Sequence, residues 1–146
     1  MSIISDFIPT DNIPDNRFME IKMPKIDDIV IGADCTQVFN LPFVFSEYVD
    51  SVAVLYKQGL ELLLVKETCN NCSFSECPFG KCINDFDVTE HETWSTLEVH
   101  LSPTETASFD KNCLDTHVQL KITTKNGNIV YGMPYKLNIR CPLDYR

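Results

Sequence analysis

The 146-residue chain reads as all-β: an antiparallel immunoglobulin-like β-sandwich with one short helical turn and an inserted cysteine-rich loop. Three observations point there. Apolar and polar residues alternate over short segments that recur at close intervals, which is the pattern of half-buried strands. Asn126-Gly127 lies between two such segments and is the strongest two-residue hairpin signal. The helix signal is confined to one short start at Ser102-Pro103-Thr104-Glu105, with no long helical period around it. A small barrel is the alternative closure of the same strands.

In chain order, residues 1–17 sustain neither strand nor helix periodicity, and they mix Pro9, Pro14, Asp and Asn with isolated large apolar residues. Two readings stand side by side: a disordered tail, or an extended arm that places Phe7 and Ile8 against a neighbouring subunit. The sandwich domain then occupies residues 18–146. Met19 to Met23 alternates and reads as a strand ended by Pro24, Asp28 to Ile31 as another, and Thr36 to Phe45 as a longer one that Pro42 bends or confines to a margin. Ser51 to Tyr56 and Leu60 to Lys66 flank a Gln58-Gly59 hairpin, and both faces of that pair are apolar, as in the middle of a packed sheet.

The cysteine loop, residues 67–85, leaves this strand and returns at Phe86. Thr93 to Leu101 places Leu97, Val99 and Leu101 on one face and Thr96, Glu98 and His100 on the other. Ser102 can then cap a helix, Pro103 fits its first position, and Glu105 can reach back to complete a capping box. A two-residue turn at Asn126-Gly127 sets Ile122 opposite Tyr131, Leu120 opposite Met133 and Val118 opposite Tyr135. It leaves Gln119, Lys121 and Thr123 on the wet face with Lys136, Asn138 and Arg140. About eight strands result, which suits a sandwich of one domain.

Composition bounds the partners. Hydrophobic residues at 44% and charged residues at 23% are ordinary for a globular chain. A net charge of -9 argues against nucleic-acid and anionic-membrane partners, and no apolar run approaches a membrane-spanning length. Seven cysteines leave one thiol unpaired in a fully oxidised monomer, and Met1 to Asp6 shows no secretory signal, so a reducing cytosol is expected.

The chemistry concentrates in Cys69, Cys72, Cys77 and Cys82, spaced C-x2-C-x4-C-x4-C. Four thiolates within so short a stretch can close a tetrahedral shell around one Zn(II), and no carboxylate or fifth group leaves a position open, so the site reads as structural. Paired disulfides and free thiols are the alternatives. The spacing resembles the zinc knuckle of retroviral nucleocapsid proteins, with Cys77 standing where the histidine falls. Lys81 is the one basic residue between the outer cysteines and Glu76 offsets it, so the metal geometry carries over and nucleic-acid binding does not.

An enzyme is not expected. His91, His100 and His117 fall at turn-like or outward strand positions, where solvated histidine is the ordinary case, although His91 lies close enough to the cysteines to substitute as a ligand. Asp85, Asp87 and Glu90 read as a solvated rim, and Cys35, Cys113 and Cys141 as small buried hydrophobes. A thiol-redox pair at Cys69 and Cys72 lacks the βαβ unit that normally carries such a motif.

The run LSPTETASF from Leu101 to Phe109, then VQLKITTKNGNIV from Val118 to Val130 and a final apolar strand, resembles a pattern in small tailed-phage structural proteins. Met19 to Lys66 is similar to the opening of the same group, which is akin to the N-terminal domain of siphophage baseplate upper proteins. The likeness covers roughly Phe18 to Arg140, with Ile26-Asp27-Asp28 where the group has glycine and with the cysteine loop as an insertion. The resemblance implies a non-enzymatic virion component assembled in the bacterial host cytoplasm. It would bind other virion proteins and copies of itself through its edges and its arm, with no small-molecule substrate; structural Zn(II) and the lack of nucleic-acid and membrane partners are expected from the cysteine spacing and the charge, not from the resemblance. The alternative is an intracellular zinc-dependent adaptor that binds a host factor through the knuckle.

Overall fold

Alternation decides which face each strand turns inward, because successive side chains point to opposite sides of a sheet. The computed structural model describes residues 21–68, 85–110, 112 and 115–142. Among the described residues the elements are β1 (Ile29–Val30), β2 (Cys35–Leu41), α1 (Phe45–Tyr48), β3 (Val49–Gln58), β4 (Glu61–Glu67), β5 (Phe86–Glu90), β6 (Ser95–Leu101), α2 (Pro103–Thr106), β7 (Thr116–Thr124), β8 (Ile129–Tyr131), β9 (Tyr135–Leu137) and β10 (Ile139–Arg140).

The strands form an all-β sandwich. A three-stranded sheet runs β2-β6-β5, a larger one runs β4-β3-β7-β8 with β9 also on β7, and both are antiparallel. β1 pairs with β10 in parallel, tying the start of the sandwich to its end. One buried cluster draws on both sheets, with Phe39 and Leu97 from the smaller and Val54, Tyr56 and Leu120 from the larger. Each such side chain, removed from water, contributes on the order of 1.5–3 kcal/mol. β6 and β7 bury every second residue from end to end, as their sequences require.

The α2 start is as read: Ser102 Oγ accepts from the Glu105 N–H at 3.2 Å and the Ser102 N–H donates to Glu105 Oε1 at 2.9 Å. α1 lacks any such local signal, since Val44 makes no side-chain cap. Tertiary contacts hold it instead. Ser95 Oγ accepts from the Phe45 N–H and donates to the Phe43 carbonyl, both at 2.8 Å, while Phe43 and Tyr48 meet edge to face.

The last hairpin is present with a different turn. Thr124 faces Asn128 across a three-residue loop, and Gly127 takes φ +86 while its N–H donates to the Thr124 carbonyl. A third loop residue moves the register by one, so Ile122 faces Val130, and Tyr131 faces Lys121 on the wet side. An irregular step at Gly132 to Pro134 restores the expected pairing of Val118 with Tyr135, but Met133 is left exposed. Two further corrections concern the β3–β4 hairpin. Its turn centres on Gly59-Leu60, with Gly59 at φ +61, and β4 is an edge strand whose Leu62 and Val65 are exposed, rather than a central one.

Candidate functional site

The smaller and larger sheets are joined where β4 ends and β5 begins, on the edge strand of each, and this is where the cysteine segment is inserted. Cys69, Cys72, Cys77 and Cys82 lie outside the described residues, as do Phe7, Ile8 and Cys113. Both roots of the segment are described. On one side Thr68 continues the line of β4. Its N–H donates to the Val52 carbonyl at 2.9 Å, and its Oγ1 accepts from the Val52 N–H at 2.9 Å.

On the other side stands Asp85, and it meets a lysine in the interior. Lys66 turns inward from β4 in phase with Leu64 and Thr68, and its side chain is 2% exposed. A buried ammonium is costly unless each of its three donors finds an acceptor. Here each does: Nζ lies 3.2 Å from Asp85 Oδ1, 2.8 Å from Glu105 Oε1 and 2.6 Å from the His100 carbonyl oxygen. One residue of the larger sheet is therefore bonded to the root of the segment, to the end of β6 and to the first turn of α2.

Glu105 closes the network. Burial by itself raises the affinity of its carboxyl for a proton, but the Lys66 hydrogen bond, the Ser102 N–H and the Lys66 charge outweigh burial and hold it below the ordinary glutamate value. The same oxygen that caps α2 also receives the lysine, so the capping box and the ion-pair network stand or fall together. With all three N–H bonds engaged and almost no exposure, the Lys66 amine is built to hold charge and orient the segment roots rather than to attack a substrate.

By sequence Glu105 reads only as a cap and Asp85 only as a solvated rim, and Lys66 as an ordinary strand residue. Phase gives no decisive signal there, because both alternate sets of β4 are apolar and a bulge breaks the alternation between Leu62 and Leu64. Once the structure turns Lys66 inward, between Leu64 and Thr68, it demands internal acceptors.

The histidines are placed as their sequence positions imply. His91 is exposed, stacks on Trp94 with ring centroids 3.9 Å apart, and bonds Thr96 Oγ1 through Nε2 at 3.2 Å. His100 faces outward and bonds Thr36, and His117 faces outward beside Asp115. Beside Trp94, a shallow groove of about 280 Å³ is lined by Lys22, Asn40, Leu41 and Pro42. Of the remaining cysteines, Cys35 is half-buried and Cys141 is exposed, so the expectation of a buried Cys141 is corrected. Burial, then the nearby Asp27 charge, pushes the Cys35 thiol above its usual range, which disfavours its thiolate. Among the described residues no group of three His, Cys, Asp or Glu side chains is placed to hold a metal ion, and no helix is long and apolar enough to cross a membrane.

Compared with protein-family models and with curated proteins, the chain matches none.

Proposed function

We propose that the protein is a non-enzymatic structural component of a phage virion, assembled in the host cytoplasm and belonging to a tail, a baseplate or a capsid-associated layer. In this reading the β-sandwich is a rigid core that binds neighbouring virion proteins, and the Met1–Arg17 arm docks Phe7 and Ile8 on a neighbour. Cys69, Cys72, Cys77 and Cys82 hold one structural Zn(II), whose binding contributes to the folding of that segment.

The observation that carries this reading is the outer face of the larger sheet, where the strands of a well-packed sandwich present Leu62, Val65, Ile129 and Tyr131 to solvent at 38–55% exposure. Exposed apolar side chains along both edges of one sheet face support a partner-binding role. The anchored roots support the zinc part, because Thr68 bonds Val52 and Asp85 bonds Lys66, so both ends of the cysteine segment are fixed to the sandwich.

Two measurements test the reading. Native mass spectrometry on protein made in a reducing cytosol and purified without chelator should find one zinc per chain and four protected thiols, and replacing Cys69 and Cys72 by Ser should remove the metal while the hairpin of β7 and β8 stays folded. Paired cysteines and no metal would remove the zinc site. An antibody against the chain should then detect it in purified particles from infected cells. Its presence only in soluble lysate, bound to a host protein through the zinc loop, would replace the virion role with that of an adaptor.

A further inference from the structure

The two outer faces of the sandwich carry opposite charge. On the larger sheet, strand phase turns Lys57, Lys121 and Lys136 outward, with Glu67 and, at the bulge of β3, Asp50 as the acidic residues among the strand positions of that face. Cross-strand pairing sets Lys121 beside Tyr131 and Lys57 beside Leu62, so the lysines are interleaved with the exposed apolar residues. On the smaller sheet, Glu98 and Asp87 are direct cross-strand partners, and both face outward among Val38, Thr89 and Thr96. Lys22, bridged to Asn40 at the opposite edge, is the basic residue of that face and stands beyond β2, away from the acidic pair.

This segregation is unexpected in a chain of net charge -9, where lysines are scarce and a uniform acidic surface would keep copies apart. We infer that the chain self-associates head to tail, the lysine-bearing face of the larger sheet in one copy docking on the Glu98–Asp87 face of the smaller sheet in the next. This pairing gives the assembly role proposed above its contact surface and depends on it.

The alternative symmetric contacts are disfavoured by the same charges. A two-fold contact through the larger sheet sets lysines against lysines, and one through the smaller sheet sets carboxylates against carboxylates. A heterologous contact brings unlike charges together and covers Leu62, Val65 and Tyr131 with a flat surface of Val38 and threonine side chains. Such a contact repeats in one direction and closes into a ring or extends into a filament, according to the rotation between copies.

The test is sedimentation velocity on the full chain at low salt, over a range of concentrations, with circular dichroism confirming that each variant is folded. Wild-type protein should form species heavier than the 16.7 kDa monomer, and raising the salt should dissolve them. Lys121→Glu alone and Glu98→Lys alone should each remain monomeric. An equimolar mixture of the two should assemble again with both in equal amounts, because each face then meets its opposite. Lys136→Glu mixed with Asp87→Lys should repeat the pattern. A wild-type chain that stays monomeric throughout, single variants that associate like wild type, or a mixture that stays monomeric would each overturn the pairing. Assembly that ignores both reversals would remove this contact alone, and detection of the chain in particles would still decide the virion role separately.

Discussion

Replacing Lys66 by Met should be among the most damaging single changes in the sandwich, although Met fills much the same volume. The ammonium makes three hydrogen bonds, two of them to carboxylates. Its removal leaves the His100 carbonyl and two negative charges facing each other across an apolar side chain. Breaking a buried pair in this way costs about 3–5 kcal/mol when the orphaned charge stays dry. Asp85 and Glu105 are each 28% exposed, so water can reach part of each carboxylate and the lower end applies. A loss of about 3 kcal/mol follows, and with a urea dependence of about 2 kcal/mol per molar the unfolding midpoint should fall by about 1.5 M. Denaturant unfolding followed by far-ultraviolet circular dichroism reads this directly. In the Glu105→Gln background the same Lys66→Met change should cost less, because one of the stranded charges has gone. A Lys66→Met midpoint within about 0.3 M of wild type, under the same urea dependence, would refute the reasoning. It would show that desolvating the lysine already cancels what its partners return.

Other outcomes follow from the same geometry. Because Glu105 is held below its ordinary value, its stabilisation is complete above the unfolded glutamate range, near pH 4.5, and is lost as pH falls through the lower folded value; Glu105→Gln should flatten that acid loss in a pH series of melting temperatures. Ser102→Ala removes the acceptor for the Glu105 N–H and should cost about 1 kcal/mol, measured by chemical denaturation. Tyr56→Phe deletes the bond from the Tyr56 hydroxyl to Gln37 Oε1 and leaves buried Gln37, whose Nε2 already lacks a partner, without that one as well. The cost should be about 1–3 kcal/mol, and Gln37→Leu added to Tyr56→Phe should recover part of it, because an apolar pair leaves nothing unsatisfied.

Local chemistry was enough for much of the fold. Inward phase in β6 and β7, the return of the chain at Phe86 and the capping box of α2 each depend on residues within a few positions of one another, so they are legible from the sequence alone, whereas the strand expected over Thr36 to Phe45 ends at Leu41 before Pro42. The hairpin shows where that legibility ends. Asn126-Gly127 located the turn, but two-residue and three-residue loops both use a glycine at positive φ, and the extra residue moved Tyr131 and Met133 from the core to the surface. Likewise the apolar texture of Leu62 to Val65 does not distinguish a central strand from an edge strand with an open outer face, because hydrophobicity records burial without saying what provides it.

Three features were decided only in three dimensions. α1 owes its turn to Ser95, some fifty positions along the chain. The opposition of lysines and carboxylates on the two outer faces required knowing which strands share a sheet. The meeting of Lys66, Asp85, Glu105 and the His100 carbonyl joins β4, the root of the cysteine segment, α2 and β6, none of which is adjacent in sequence to all the others. The sequence determined that Lys66 lies in a strand, since strand propensity is a property of neighbours, but with both alternate faces of Glu61–Glu67 apolar it left the direction of the lysine open. Only the tertiary structure turned it inward and decided what would meet it there, because the acceptors that make a buried charge tolerable come from whichever elements the packing of the two sheets brings within about 3 Å.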